Sequence, residues 1–466
     1  MANITMDYQE ALERLMSLAN FERSKKFPNH RSFHLERMSG LMEFLNDPHI
    51  KIPTIHVAGT KGKGSTAAVI TSILSAQGLN VGLYTSPHLH RTVERIRVGL
   101  EPISQKDFAG LVHNIWPTVQ SVGRTGAHGE ITFFEMLTAM AFVHFDNCDL
   151  DFQVIEVGLG GRLDATNVVE PEISVITNIS LDHMNTLGNS LEEIASEKAG
   201  IIKNGVPVVV APQDPSVLEI LTDISAQRNA RLIDVALDKS WKMIESDEKR
   251  QVVEIEGLHG KSVFELPLLG SHQIENTATA IVAVENLQRY CSEGISDKVV
   301  EAGIRSVKWP GRMYLKSVGD RIVVADGAHN PYSIGKLVQA ISEHLTFHRV
   351  ILVFGATGEH DVRGMLKEMK LLDPRVLATR SRDPRAVVVD KISSASFALG
   401  LDFAGAQESV EESFRLALSL ANPNDLIVAT GSITVVAEVI ENLEGIQPET
   451  YPWLVQQNFG KEIKSD

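Results

Sequence analysis

Cysteine is nearly missing from this 466-residue sequence, which holds only Cys148 and Cys291. Two thiols build neither a disulfide framework nor a four-cysteine zinc site. Both lie near apolar stretches and are expected to be core or near-core thiols. Long apolar runs are missing as well. No window approaches the roughly 18 consecutive apolar residues of a membrane-spanning helix. Asp7, Glu10 and Glu13 fall where a signal peptide would need its apolar centre. Positive charge is in deficit, with 44 basic residues against 59 acidic ones and a net charge of −15. Such a surface repels polyanions, which excludes a nucleic-acid or anionic-membrane partner but not one local basic pocket for a phosphorylated ligand. Internal repeats and low-complexity tracts are also lacking. A cytoplasmic monomer acting on small molecules is the expectation.

What is present is ordinary globular composition, 43% hydrophobic and 22% charged, which leaves no case for disorder. At roughly 100–200 residues per domain, the length predicts two or three domains. The first 50 residues read as helical, from Leu12, Leu15, Met16 and Leu18 and again from Leu41, Met42 and Leu45. Then come five short apolar runs at Thr54–Ala58, Val81–Thr85, Phe152–Val157, Ile173–Ile179 and Val206–Ala211, with helical patterns between them. Runs without alternation fit strands buried on both faces, and interleaved helices make such strands parallel. The fold class is therefore α/β, with a mostly parallel, doubly wound sheet. Residues 232–269 alternate and predict a small β segment. Helices follow near Gln273–Tyr290 and Lys298–Val307, until Trp309-Pro310-Gly311 breaks the pattern. A second α/β series at Ile322–Ala325, Val350–Phe354, Val376–Thr379 and Leu426–Ala429 predicts a Rossmann-like C-terminal domain. The boundary is placed at Lys308, giving domains 1–308 and 309–466.

The strongest chemical signal is Gly59-Thr60-Lys61-Gly62-Lys63-Gly64-Ser65, between the first strand and a helix expected at Thr66–Gln77. Glycines let successive N–H groups turn inward, a helix N-terminus adds partial positive charge and Lys63 adds a full one. Ser65 is placed to meet a phosphate-bound Mg²⁺. The spacing departs from GxxxxGK[ST], so this is a variant phosphate loop. Gly62-x-Gly64-x-x-Ala67 also fits a dinucleotide fingerprint, but no acidic residue lies between Asp47 and Glu94 to hold a ribose. A triphosphate is the better fit.

Ser86, Glu156 and His183 sit at or beyond the carboxyl ends of predicted strands, where ligands bind in open α/β sheets. A hydroxyl, a carboxylate and an imidazole are reasonable Mg²⁺ ligands beside phosphate oxygens. Taken singly, Glu156 also reads as an ordinary strand-end carboxylate and His183 as a loop histidine. Lys198 falls on the apolar stripe Leu191, Ile194, Ala195, Ala199, Ile202 of a helix opened by the capping box Ser190–Glu193. Burial there would lower its pKa, and a snorkelling lysine is the alternative. Asp326 and His329 lie on a turn after Ile322–Ala325, and Arg312 lies in the linker. Each of these has an ordinary structural reading too.

Together these residues resemble the folylpolyglutamate synthase/dihydrofolate synthase family, within the wider Mur ligase group. The resemblance is carried by HVAGTKGKGSTAA (56–68), TSPHL (85–89), ERIR (94–97), EVGLGGRLDATN (156–167) and LDH (181–183). It continues in EKAGI (197–201), LLGSHQIENTATA (268–280), WPGR (309–312) and DGAHNP (326–331). It implies an ATP-dependent amide ligase that phosphorylates a folate or pteroate carboxylate and then lets the amino group of L-glutamate attack it. By resemblance, Gly59–Ser65 cradle the phosphates, Ser86 and Glu156 hold one Mg²⁺, and His183 helps hold a second. Lys198 matches a carbamylated lysine. Asn276 matches an adenine-side contact, Arg312 and Asp326 match nucleotide contacts, and Arg95 matches a basic residue near the substrate. His329 lies where glutamate is handled, and Lys198, Asp326 and His329 are the residues expected at the chemistry. Lys61 departs from the asparagine of many bacterial members. The segment Val119–Glu130 carries no usable motif. Dihydrofolate synthesis, alone or as a second activity, stays open at this point, as does a P-loop ATPase or nucleotide-binding regulatory module.

Overall fold

The computed structural model of the chain describes residues 6–22, 33–125, 129–257, 260–287, 294–358 and 360–451. The five apolar runs are neighbours or near-neighbours in one eight-stranded sheet. Its order is Glu101–Pro102, Ile96–Val98, Val81–Tyr84, Phe152–Glu156, Thr54–Ala58, Ile173–Ile176, Val208–Val210, Leu232–Asp234. Ile96–Val98 is antiparallel to both of its neighbours, and all the other pairings are parallel. Thr54–Ala58 runs through the middle, paired with Phe152–Glu156 on one side and Ile173–Ile176 on the other. Every residue of that central strand is buried, because helices cover both faces. Ile55 and Val57 pack into one core with the helices Lys63–Ala76, Ser271–Glu285 and Asp297–Ser306. Ala58 and Ile176 join a second core with the helix Leu191–Lys198, while Tyr84 and Ile155 join a third under Phe133–Asn147. Each such aliphatic side chain contributes about 1.5–3 kcal/mol when fully buried, so the sheet centre is the most costly place to perturb.

Ser240–Ser246, Gln251–Gly257 and Gly260–Leu266 form a separate three-stranded antiparallel sheet. Its Val253, Ile255, Phe264 and Leu266 face the first of those cores, so the alternation seen in the sequence is the mark of one covered face. The C-terminal sheet has the order Tyr314–Val318, Arg321–Ala325, Leu426–Thr430, Val350–Phe354, Arg375–Thr379, Asp402–Gln407. Only Tyr314–Val318 is antiparallel. Helices cover both faces, Pro331–His344 on one and Ile433–Glu444 on the other. The α/β expectation with two parallel-rich sheets is met.

Some local expectations need correction. The helix after the phosphate loop starts at Lys63, so Lys63, Gly64 and Ser65 belong to its first turn. Cys148 is exposed at the C-cap of Phe133–Asn147, not a core thiol, and Cys291 lies outside the described residues. The segment 119–130 is helical as far as Thr125, as part of Gln105–Thr125. Among the described residues, no helix is long and apolar enough to cross a membrane.

Candidate active site

The phosphate loop leaves the central strand where chain connections depart in opposite directions, the position at which open α/β sheets bind ligands. Two of its glycines are obligatory. Gly59 and Gly62 have φ values of +147° and +90°. A Cβ at Gly59 would lie 1.8 Å from Thr177 Oγ1, and one at Gly62 would lie 2.2 Å from Asn276 Oδ1. The following helix has no side-chain N-cap, which suits an anion at its N-terminus. The N–H groups of Thr60 and Lys61 donate to Asn178 O at 2.9 and 3.2 Å and pin the loop's outer edge.

Glu156 ends the neighbouring strand, 4% exposed, with Oε2 accepting the Ser86 N–H at 3.0 Å and Oε1 3.9 Å from Lys63 Nζ. Burial pushes its carboxyl up, with Lys63 opposing, so an added cation would be favoured there. His183 is exposed to the cleft and has φ +50°, a left-handed conformation costing about 1 kcal/mol. Desolvation by the cleft walls holds its pKa down at about 4. Asp182 opposes that shift, and Lys61, Lys198 and Lys63 add to it. Lys198 is 4% exposed and its Nζ donates to Gly59 O at 2.8 Å. Burial, then Lys63, lowers its pKa to about 7. The snorkelling alternative is thereby set aside, because this amine points into the loop.

Residues from the second sheet close the cleft. Lys61 Nζ donates to Asp182 Oδ2 at 2.8 Å and to His329 Nε2 at 2.9 Å. The other ring nitrogen of His329 bonds Gly327 O at 2.8 Å. A carbonyl only accepts, so Nδ1 carries the proton and Nε2 presents its lone pair. Lys61 first, then burial, holds His329 well below the usual histidine range and therefore neutral. Asp182 is half-buried, and its desolvation opposes ionisation, yet Lys61 outweighs this and keeps its carboxyl below the usual range. Asp326 accepts the Met313 N–H at 2.8 Å and the Ala328 N–H at 2.9 Å, tying the linker to the turn. Arg312 Nη1 bonds Gly311 O at 3.1 Å and lies against Gly327. Asn276 Nδ2 donates to Gln273 Oε1 at 3.1 Å.

All the residues singled out from the sequence, Arg95 included, line one cleft of about 480 Å³. Arg95 is 1% exposed and pairs through both terminal nitrogens with Glu22, at 2.8 and 2.6 Å. Sequence reasoning missed Glu22, His88, Asp182, His360 and Tyr451, which also line the cleft. Asp182 and His88 sat inside quoted motifs. Glu22 and Tyr451 carried no local signal. Among the described residues no three Asp, Glu, His or Cys form a ready metal cage. The donors at Glu156 and Ser86 instead suit a cation that takes one or two protein oxygens and completes its shell with phosphate and water, which is the habit of Mg²⁺.

This combination of phosphate loop and facing second sheet is that of a Mur ligase. The Mur ligase middle domain matches residues 57–284, and the Mur ligase glutamate ligase domain matches residues 311–433. The chain is 35% identical over 415 residues to dihydrofolate synthase/folylpolyglutamate synthase of Bacillus subtilis (strain 168), covering 88% of this chain and 95% of that one. It is 32% identical to folylpolyglutamate synthase of Lacticaseibacillus casei, covering 94% and 99%. The solved structure of Mycobacterium tuberculosis folylpolyglutamate synthase complexed with ADP superposes with a TM-score of 0.85 at 32% identity, over 95% of this chain and 100% of that one. That of E. coli FolC in complex with DHPP and ADP gives 0.80 at 30% identity, over 93% and 98%. The chain belongs to the folylpolyglutamate synthase/dihydrofolate synthase family.

Proposed function

We propose that this protein uses ATP to join L-glutamate to the carboxylate of a folate-type acceptor, extending reduced folates and also converting dihydropteroate to dihydrofolate. The observation that carries this reading is the 2.9 Å contact between Lys61 of the phosphate loop and His329 of the second sheet. A transferable phosphoryl group and an incoming amine can meet in one cleft. The acceptor carboxylate attacks the γ-phosphorus and ADP leaves. The glutamate nitrogen then attacks the acyl carbon, phosphate leaves, and the amine gives up a proton.

Phosphoryl transfer asks the protein for positioning and positive charge more than for covalent help. Gly59–Ser65 orient the phosphates, and Lys61 and Lys63 supply the charge. His329 offers a neutral Nε2 on the glutamate side, able to take the amine proton once Lys61 turns to the phosphates. Asn276 backs the loop on the adenine side, and Arg95 holds the acceptor's end of the cleft. Mg²⁺, when bound, neutralises charge on the phosphoryl oxygens. Glu156 and Ser86 would hold one such ion, and His183 would serve a second. Lys198 as a carbamate would add anionic oxygens beside them.

The chain divides at Lys308 into 1–308 and 309–466, and Pro310-Gly311 forms the hinge, with Gly311 at φ +80°. Closure would keep water from the acyl phosphate. ADP and phosphate should therefore form one-for-one with new amide, and only when acceptor and glutamate are both present. Comparable ATP hydrolysis without co-substrates, followed by coupled assay, would refute the ligase reading. Arg312→Ala removes a guanidinium that reaches from the linker into the cleft. Its KM for ATP should rise about tenfold, as expected for a lost charge-assisted phosphate contact, with an unchanged melting temperature.

A further inference from the structure

The chain crosses from the second sheet back to the first a second time. After the helix Ile433–Glu444 it turns at Gly445, φ +66°, and by Glu449 it lies on the N-terminal half. Glu449 is 6% exposed, and its carboxylate accepts from Thr92 N at 3.1 Å, from Thr92 Oγ1 at 2.7 Å and from Tyr8 Oη. Gln9 Nε2 bonds Thr450 O at 3.3 Å. A buried carboxylate without hydrogen-bond donors would be costly, so three donors facing it mark a fixed anchor.

Beyond the anchor, Tyr451 is 4% exposed and lines the cleft. Its Oη lies 2.9 Å from His88 Nε2, and the two rings stack with centroids 6.4 Å apart. Arg95 Nε donates to His88 Nδ1 at 3.0 Å. A guanidinium has no lone pair, so His88 Nδ1 must accept, and Nε2 carries the proton and donates to Tyr451. Arg95 in turn pairs with Glu22 and sits 5.4 Å from the Phe133 ring centroid. A directed chain thus runs Arg95, His88, Tyr451, and its last member is fixed by the strap. The same loop is held a second time from the second sheet, where His90 Nδ1 lies 3.1 Å from Glu441 Oε1.

We propose that residues 446–451 form a strap that sets the acceptor-binding end of the cleft, with Tyr451 as a positioning residue. The Tyr451 hydroxyl fixes the His88 ring, and His88 fixes the guanidinium plane of Arg95, whose two terminal nitrogens Glu22 holds, at the acceptor's end of the cleft. The inference rests on the proposed reading of the cleft and adds a residue through which the C-terminal half selects the acceptor. The nucleotide end is built from Gly59–Ser65 and should not notice the strap's loss.

Steady-state kinetics with dihydropteroate and with tetrahydrofolate, varied separately from ATP, test this on the full chain. Tyr451→Phe keeps the ring and loses the hydroxyl. It should raise the acceptor KM about fivefold, the scale of one lost hydrogen bond, and leave the KM for ATP and the melting temperature unchanged. In a His88→Ala background the same change should have no further effect, because the two act as one chain. Glu449→Gln should reproduce the acceptor defect. An unaltered acceptor KM in Tyr451→Phe, equal shifts for ATP and acceptor, or additive effects with His88→Ala would overturn the proposal. Wild-type protein that forms no amide with either acceptor would instead overturn the functional reading itself, before any variant is made.

Discussion

Glu156→Gln should lower amide formation by about a thousandfold or more, the scale of several kcal/mol of phosphoryl-charge stabilisation supplied by a hard dication. Glutamine has nearly the same shape, and its carbonyl oxygen can still accept the Ser86 N–H that Oε2 now accepts at 3.0 Å. The fold should therefore survive, with the melting temperature unchanged. What is lost is the negative charge, and an amide oxygen is a poor substitute toward Mg²⁺. Burial already presses on this carboxylate, with Lys63 3.9 Å away as its nearest cation. A site that keeps a buried carboxylate against that pressure gains most when a metal arrives. Rates measured across a Mg²⁺ series should show a loss that excess metal recovers only in part. Near-wild-type turnover of Glu156→Gln at low Mg²⁺ would remove Glu156 from the metal site.

Much of this cleft is legible in the sequence alone, for a definite reason. Thr54–Ala58 and Phe152–Glu156 are buried on both faces, so their apolar runs are unbroken and their carboxyl ends are easy to locate. Chemistry at those ends, at Gly59–Ser65 and Glu156, is then local to the strand that positions it. Edge strands were harder. Tyr314–Val318 and Asp402–Gln407 are only half-buried and lack such runs. Contacts between distant segments were invisible. Lys61 meets Asp182 and His329 across 121 and 268 residues, and Tyr451 meets His88 across 363. No periodicity in a single sequence encodes such a pairing. Cys148 misled for a related reason: it follows an apolar helix, but as its C-cap it faces outward.

Lys198→Ala should be nearly inactive, falling by about a thousandfold, because two roles disappear with one side chain. The amine holds the loop through its 2.8 Å bond to Gly59 O, and it is the atom that would capture CO₂. Capture needs the neutral form. In water a lysine near pKa 10.5 is almost wholly charged at pH 7, whereas burial and Lys63 bring this one to about 7. The unfolded chain binds a proton here between about pH 7 and 10.5 that the folded chain does not, so the unmodified fold is penalised below that window and relieved as pH rises through it. Lys198→Met should remove this slope from a stability–pH profile. A carbamate resolves the same conflict differently, since an anion beside Lys63 and a dication is attracted where an ammonium is repelled. Labelled bicarbonate should therefore give a carbamate carbon resonance in the wild-type protein and none in Lys198→Ala, and a short-chain carboxylate should restore part of the variant's activity. Full activity of Lys198→Ala, or a wild-type protein with no carbamate signal at saturating bicarbonate, would refute the modification.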